Sequence, residues 1–385
     1  MHLSIPHELE PLMPSVLAEY REQGVFFLDP AYLSKVNQKT NAFPNLFGEL
    51  LRGAEQVAKD EAAAQYALLL YRAMQKREQL LAILPSIEIP HEDYPTLALL
   101  AFIPYVEELY DRLLEKKLPL DIVSATVRQF EACMYLQQER SGHFGMSKRY
   151  FDHMQRYVDF RILNVGRLRF ETHELKDACI VESRKTGEQI LFSVGGEMNE
   201  EGLCADTPPI HQNSNGFTAF FKETEQSYIG TPIKADGKCQ KEPITLDKNE
   251  FFMKVPLHSA CLAVHIPAKG ALTEEACRQS YERALEIFSK LYPSTPIRAF
   301  RCHSWMMSPQ LKEILKEDSN LLRFQAPFHK YPCKTKGEDV FNFVFKMLPP
   351  KHYDHLPEET SLQRALKQIY LNGGYLYEYN GIFTV

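Results

Sequence analysis

The sequence predicts an α+β protein in two parts, an all-helical N-terminal domain over residues 1–150 and a mixed-sheet domain over residues 151–385. Three observations lead there. Apolar residues recur at three- and four-residue intervals through the first part, with Pro and Gly at the breaks. After Gly142 the texture changes to short β-branched or alternating runs separated by turn residues. At 385 residues the chain exceeds one typical domain and fits two, each large enough for its own core.

In the first part, helices are expected at residues 14–23, 30–37, 60–84, 96–116, 120–139 and 146–160. The clearest is 60–84, where Ala64, Ala67, Leu68, Tyr71, Met74 and Leu81 form one stripe and Pro85 stops the run. Pro104 should kink or shorten the helix that begins at Thr96. In the second part, residues 161–172 and 188–194 read as strands, and Gly195-Gly196 as a turn. Residues 195–215 are polar and hold Pro208-Pro209, a long loop suited to a lid or binding role, with disorder as the plain alternative. Residues 228–255 suggest antiparallel strands, 321–328 and 340–347 two further strands, 361–371 a helix closed by Gly373-Gly374, and 375–385 a last strand.

The most informative stretch is 260–309. Residues 260–266 form an apolar strand ended by Pro267, and Gly270 permits a turn. Thr273 is placed to cap a helix that carries Glu274 and Glu275 in its first turn. Ala276, Cys277, Tyr281, Ala284, Leu285 and Phe288 make its buried stripe, which ends before Pro293, and residues 297–302 form a second strand. A helix N-terminus at a strand end suits an anion, often a phosphate. Glu274 and Glu275 already put negative charge there, so a plain strand–helix–strand unit is the bland reading.

Composition narrows the function classes. Lys+Arg 44 against Asp+Glu 50 gives a net charge of −6, which argues against nucleic acid and an anionic membrane surface. No apolar run reaches the ~20 residues of a membrane span, so a cytoplasmic protein is expected. Eight scattered cysteines without a C-x-x-C pair read as reduced, mostly buried thiols. His352, Asp354, His355 and Glu358 form the tight His/carboxylate cluster, read as a solvated loop and not a metal site.

Among reactive side chains, Cys302 and His303 are adjacent on a strand and point to opposite faces, which disfavours a thiolate–imidazole pair. Arg301, His303 and Trp305 should share a face able to bind an anionic or carbonyl group, with a packing histidine as the alternative. His265 either orients a substrate or is a core histidine. Glu171 is the best carboxylate for a general base, in competition with a salt bridge to Arg167 or Arg169.

The segments LAVHIP at 262–267, CRQSY at 277–281, RCHSW at 301–305 with Pro309, and DSNLLRF at 318–324 together resemble a family of bacterial acyltransferase-domain proteins. YVDF at 157–160 and GRLRFE at 166–171 resemble the opening of that family's C-terminal domain. The resemblance implies a helical N-terminal domain followed by a GNAT-like C-terminal domain. It implies an acyl-CoA or similar acyl thioester as donor, and with no metal read from the residues the expectation is transfer to an amine or hydroxyl of a small molecule. The donor's pyrophosphate is expected against Lys269, Gly270, Ala271, Leu272 and Thr273, where GNAT enzymes generally carry Q/R-x-x-G-x-G/A and this chain has one glycine. Glu171 is assigned as base with His303 second, Ser304 or Tyr281 as acid, and His265, Arg301 and Trp305 as substrate-binding residues. The rival readings are a non-catalytic ligand-binding protein on a degenerate GNAT-like scaffold and a hydrolase using Cys302.

Overall fold

The computed structural model describes residues 5–205, 216–268 and 270–385. Its internal packing divides the chain into two compact units, Met1–Asn164 and Val165–Val385. Among the described residues the first unit is helical as far as Val158: α1 (Met13–Gln23), α2 (Pro30–Thr40), α3 (Phe47–Ala58), α4 (Glu61–Gln75), α5 (Arg77–Ile83), α6 (Leu97–Glu115), α7 (Leu120–Val127), α8 (Gln129–Ser141) and α9 (Lys148–Val158).

Two of the expected helices are divided. Residues 60–84 are two helices, because Lys76 leaves the helical region at φ −96°, ψ 64°. Residues 120–139 divide at Arg128, which itself stays helical at φ −65°, ψ −8°. Pro104 sits inside α6 without ending it, since the buried face of that helix, from Leu97 to Leu113, holds both halves in the core. Helix α3 was not expected, as Gly48 and Gly53 weaken its propensity. Gly53 allows close approach: a Cβ there would lie 2.0 Å from Thr96 Oγ1. The cap comes from far away, the buried Glu131 carboxylate accepting from the backbone N–H of Asn45 and Leu46 at 2.7 Å each.

Strand β1 (Ile162–Val165) opens the mixed-sheet part of the chain. There follow β2 (Leu168–Glu174), β3 (Ala178–Ser183), β4 (Gln189–Ser193), β5 (Gly196–Met198), β6 (Phe217–Ala219), β7 (Phe221–Glu223), β8 (Ser227–Gly230), β9 (Ile244–Asp247), β10 (Phe251–Val255) and β11 (Ala260–His265). Then come α10 (Glu274–Leu291), β12 (Ala299–Ser304), α11 (Leu311–Ile314), α12 (Asn320–Gln325), β13 (His329–Pro332), α13 (Glu338–Val340) with a π-helical turn at Phe341–Phe345, α14 (Ser361–Leu371) and β14 (Tyr379–Thr384). The main sheet has the order β1-β2-β11-β12-β14-β13, with β11 and β12 parallel and β2/β11, β12/β14 and β14/β13 antiparallel.

Two strand expectations are corrected. Residues 321–328 contain α12, capped by Ser319, whose Oγ accepts from Leu321 N at 3.3 Å. Residues 340–347 are α13 and the π-helical turn, with Val340, Phe341 and Phe345 buried against Leu366 and Tyr370. Short apolar runs carry too little periodicity to separate a strand from a buried helix. Strand β3 was missed; both its faces are buried, Ala178 and Ile180 against the main sheet and Cys179 and Val181 against the layer carrying Tyr228 and Leu246. The sheet β10-β3-β4 therefore lies between the main sheet and β7-β8-β9. Of the expected 195–215 loop, residues 206–215 lie outside the described residues; Gly195 takes φ +65°, and β5 begins at Gly196.

Candidate functional site

Pairing registers fix which side chains share a face of the main sheet. Ala263 pairs with Glu171 on β2 and Arg301 on β12, and Arg301 pairs with Ile382 on β14. With alternation along each strand, Arg169, Glu171, His173, His265, Arg301, His303, Tyr331 and Asn380 belong to one face. Phe170, Phe300, Cys302, Ser304, Lys330 and Phe383 belong to the other.

That other face is an aromatic core under α10. Tyr281 lies 4.8 Å from Phe300 and 5.1 Å from Phe383 between ring centroids, and Phe300 stacks on Phe383 at 5.0 Å. Burial pushes the Tyr281 phenol far up, and its hydroxyl has no hydrogen-bond partner among the described residues. Cys302 is buried beside it, with burial raising its thiol to about 12. The hydroxyl of Ser304 caps the 3-10 turn Trp305–Met307, accepting from Met306 N at 3.1 Å. Expected acids Tyr281 and Ser304 thus lie across the sheet from Glu171.

The polar face holds three connected groups. The buried Glu171 carboxylate meets His265, Oε2 to Nε2, at 3.0 Å. Arg301 donates to Asp177 Oδ2 at 2.7 Å, to Tyr331 Oη at 3.2 Å and to His173 Nε2 at 3.1 Å. Because a guanidinium only donates, His173 Nε2 must accept, which places its proton on Nδ1. Burial works against the Arg301 charge, but Tyr331 and Asp177 outweigh it and raise its pKa. Asn380 Nδ2 also donates to Asp177, at 3.1 Å. Third, His303 Nε2 lies 3.8 Å from Oε2 of Glu378, a carboxylate that is 3% exposed. Burial, then the Arg301 charge, lowers the His303 pKa; burial, then Asp339, raises that of Glu378.

Between β11 and β12 the ladder runs only through Cys261–Ala299, Leu262–Phe300 and Ala263–Arg301. Yet β11 continues to His265 and β12 to Ser304. The two parallel strands separate at their C-terminal ends, with His265 on one side of the opening and His303 on the other.

Beyond β11, Thr273 caps α10 as expected, its hydroxyl accepting from Ala276 N at 3.4 Å, and Gly270 takes φ +92°. Lys269 lies outside the described residues. Arg167 wraps this turn, donating to the carbonyls of Ala271 at 3.0 Å, Pro267 at 3.0 Å and Gly270 at 2.9 Å. Its Nη1, and Nε of Arg169, are buried without a hydrogen-bond partner among the described residues. Glu275 is engaged by Arg278 at 2.7 Å, which offsets negative charge in the first helical turn.

Trp305 does not join the face of Arg301 and His303. The strand ends at Ser304, the alternation stops, and Trp305 is buried with Leu311, Val340, Phe341 and Tyr370. In the 352–358 cluster, Glu358 pairs with Lys367 at 2.6 Å, and the described residues contain no group of three ligands able to hold a metal ion. No helix among the described residues is long and apolar enough to cross a membrane. Sequence reasoning missed Asp177 and Glu378. Both stand just outside strands, next to β3 and β14, and no motif marks them.

The family model of the GNAT-like C-terminal domain matches residues 162–383. No curated protein matches the chain in sequence. Among solved structures, an acyltransferase in complex with decanoyl-CoA and teicoplanin is 16% identical, with 99% of each chain covered and a TM-score of 0.61. An acyltransferase with CoA and 10C-teicoplanin is 16% identical over 99% of each chain at 0.60. A mutant acyltransferase with octanoyl-CoA is 17% identical, covering 91% of this chain and 88% of its own, at 0.58. At these identities the likeness is one of fold, a helical N-terminal region followed by a mixed-sheet GNAT-like domain.

Proposed function

The chain belongs to the family with a GNAT-like C-terminal domain, and from that premise we propose that it transfers an acyl group from acyl-CoA to an amine or hydroxyl of a small molecule. The observation that carries this reading is the parting of β11 and β12 after Ala263 and Arg301. Where parallel strands separate, their facing N–H and C=O groups lose their ladder partners and suit an extended, amide-bearing arm such as that of CoA. The acyltransferases of similar fold were solved with CoA or its octanoyl and decanoyl thioesters, and two of them with teicoplanin or 10C-teicoplanin, which supports a thioester donor and a small-molecule acceptor.

The donor phosphates are assigned to the turn of Gly270, Ala271 and Leu272 with Thr273 and the start of α10. The buried, unpartnered guanidinium nitrogens of Arg167 and Arg169 are the fit that supports it. The acceptor is assigned to the polar face. Glu171 is 4% exposed at its side chain and His265 33%, so the carboxylate acts through the imidazole: His265 takes the acceptor's proton and Glu171 stabilises the resulting cation. The acceptor attacks the thioester carbon, the C–S bond breaks, and the thiolate leaves.

Titration calorimetry of the full chain with acetyl-CoA, octanoyl-CoA and decanoyl-CoA tests the donor, and thiol release against a panel of primary amines tests turnover. Glu171→Gln is expected to lower turnover about 10²–10⁴-fold with donor affinity unchanged. Binding without thiol release from any acceptor favours the ligand-binding scaffold, for which the single glycine of the donor turn speaks. Undiminished turnover in Glu171→Gln removes Glu171 from the chemistry.

A further inference from the structure

In the transfer proposed above His265 serves the acceptor's proton, and Tyr281 and Ser304 lie on the opposite face of the sheet, so the departing thiolate calls for a donor of its own. We propose that His303 is the general acid that protonates the leaving thiolate, with Glu378 as the residue that positions it. This inference rests on the acyltransfer reading and deepens it.

The geometry is that of a second carboxylate–imidazole pair across the strand opening from the first. His303 and His265 occupy the same face, one on each strand flanking the place where the ladder stops. A thioester carbon between them has one imidazole toward the incoming nucleophile and the other toward the sulfur. Glu378 is held rigidly for a positioning role: its carboxylate accepts from Gly337 N at 3.3 Å, and its own N–H donates to the buried Thr335 Oγ1 at 2.9 Å. Gly337 takes φ +77°, and a Cβ there would lie 1.4 Å from the Tyr375 hydroxyl, so the strap over Glu378 needs glycine. The carboxylate is thus held through Oε1 and the backbone through its N–H, and Oε2 lies 3.8 Å from His303 Nε2.

The groups acting on His303 are Arg301, Asp177, Asp339 and Lys336 in addition to Glu378. Burial raises the pKa of Glu378 and, with the Arg301 charge, lowers that of His303, which makes the protonated imidazole a stronger proton donor to sulfur. In the step, the acceptor nitrogen forms a bond to the thioester carbon and gives its proton to His265. The C–S bonding pair goes to sulfur, which takes the proton from His303. Amine and thioester become amide and thiol, and both imidazoles re-equilibrate with solvent.

The test varies the leaving group. Thiol release by the full chain is measured with decanoyl-CoA and with a decanoyl aryl thioester, whose thiolate departs without protonation, for wild type, His303→Gln and Glu378→Gln. With decanoyl-CoA both variants are expected to lose ~10²-fold or more in turnover, and with the aryl thioester to run near the wild-type rate. Calorimetric affinity for decanoyl-CoA is expected to stay unchanged, and two variants guard against one that misfolds. Equal losses on both thioesters overturn the acid role, and a Glu378→Gln variant indistinguishable from wild type overturns the positioning role. A wild-type chain that neither binds decanoyl-CoA nor releases thiol fails at the acyltransfer reading itself, whereas binding and turnover without leaving-group dependence fail at this inference alone.

Discussion

Phe300 and Arg301 are neighbours on β12 and stand on opposite faces of one sheet, the first in a ring stack under α10, the second in a web of Asp177, Tyr331 and His173. The aromatic face is held by contacts among residues that burial alone would select. The polar face is held at Arg301 by a matched carboxylate, since a buried charge left unpaired is far more damaging than a missing methylene. The difference teaches that β2, β11 and β12 are read twice: one parity of residues decides whether the domain folds, the other what chemistry it offers.

The largest effect should come from the aromatic face. Phe300→Ala removes a side chain packed on Phe170, Tyr281 and Phe383, and should cost about 3–5 kcal/mol in denaturant unfolding. A loss below about 1 kcal/mol would put the core elsewhere.

Asp177→Ala sharpens the other side. It leaves the Arg301 guanidinium, 15% exposed, without its carboxylate; since Asp177 is 38% exposed, the expected loss is discounted to about 2 kcal/mol. Thermal melting that shows no loss would mean the web is ornamental and the polar face is held by its backbone alone.

The smallest effect probes the edge of the aromatic face at Lys330. Burial, then Lys312, lowers this amine from 10.5 to about 8. Below pH 8 the lysine is charged in both states and only the folded state bears the desolvation penalty. Between 8 and 10.5 the unfolded state binds more protons, so this contribution makes stability rise with pH. Lys330→Met should therefore stabilise by about 1 kcal/mol at pH 7, and the advantage should vanish as pH passes 10.5. A gain independent of pH would assign it to packing instead of charge.

Much of this was legible in the residues. The unit from 260 to 304 carries its own instructions: an apolar strand, Pro267, a permissive Gly270, a Thr273 cap and a periodic helix are all local signals. Alternation also separates Cys302 from His303 without any structure. It could not carry Trp305, because nothing local announced that β12 would stop at Ser304. Residues 321–328 and 340–347 were too short and too apolar to distinguish a strand from a buried helix.

By itself, then, the sequence determined the helical first part, the mixed-sheet second part, the capped α10 and the opposite facing of neighbouring side chains on a strand, since each follows from dihedral preferences and periodicities within a few residues. The tertiary structure alone decided that Glu171 meets His265 across 94 positions, that Asp177 meets Arg301 across 124, that Glu378 lies against His303, and that β11 and β12 part after Ala263 and Arg301. Strand order and register bring such pairs together, and they are set by how faces bury against one another over the whole domain, a condition that no local window contains.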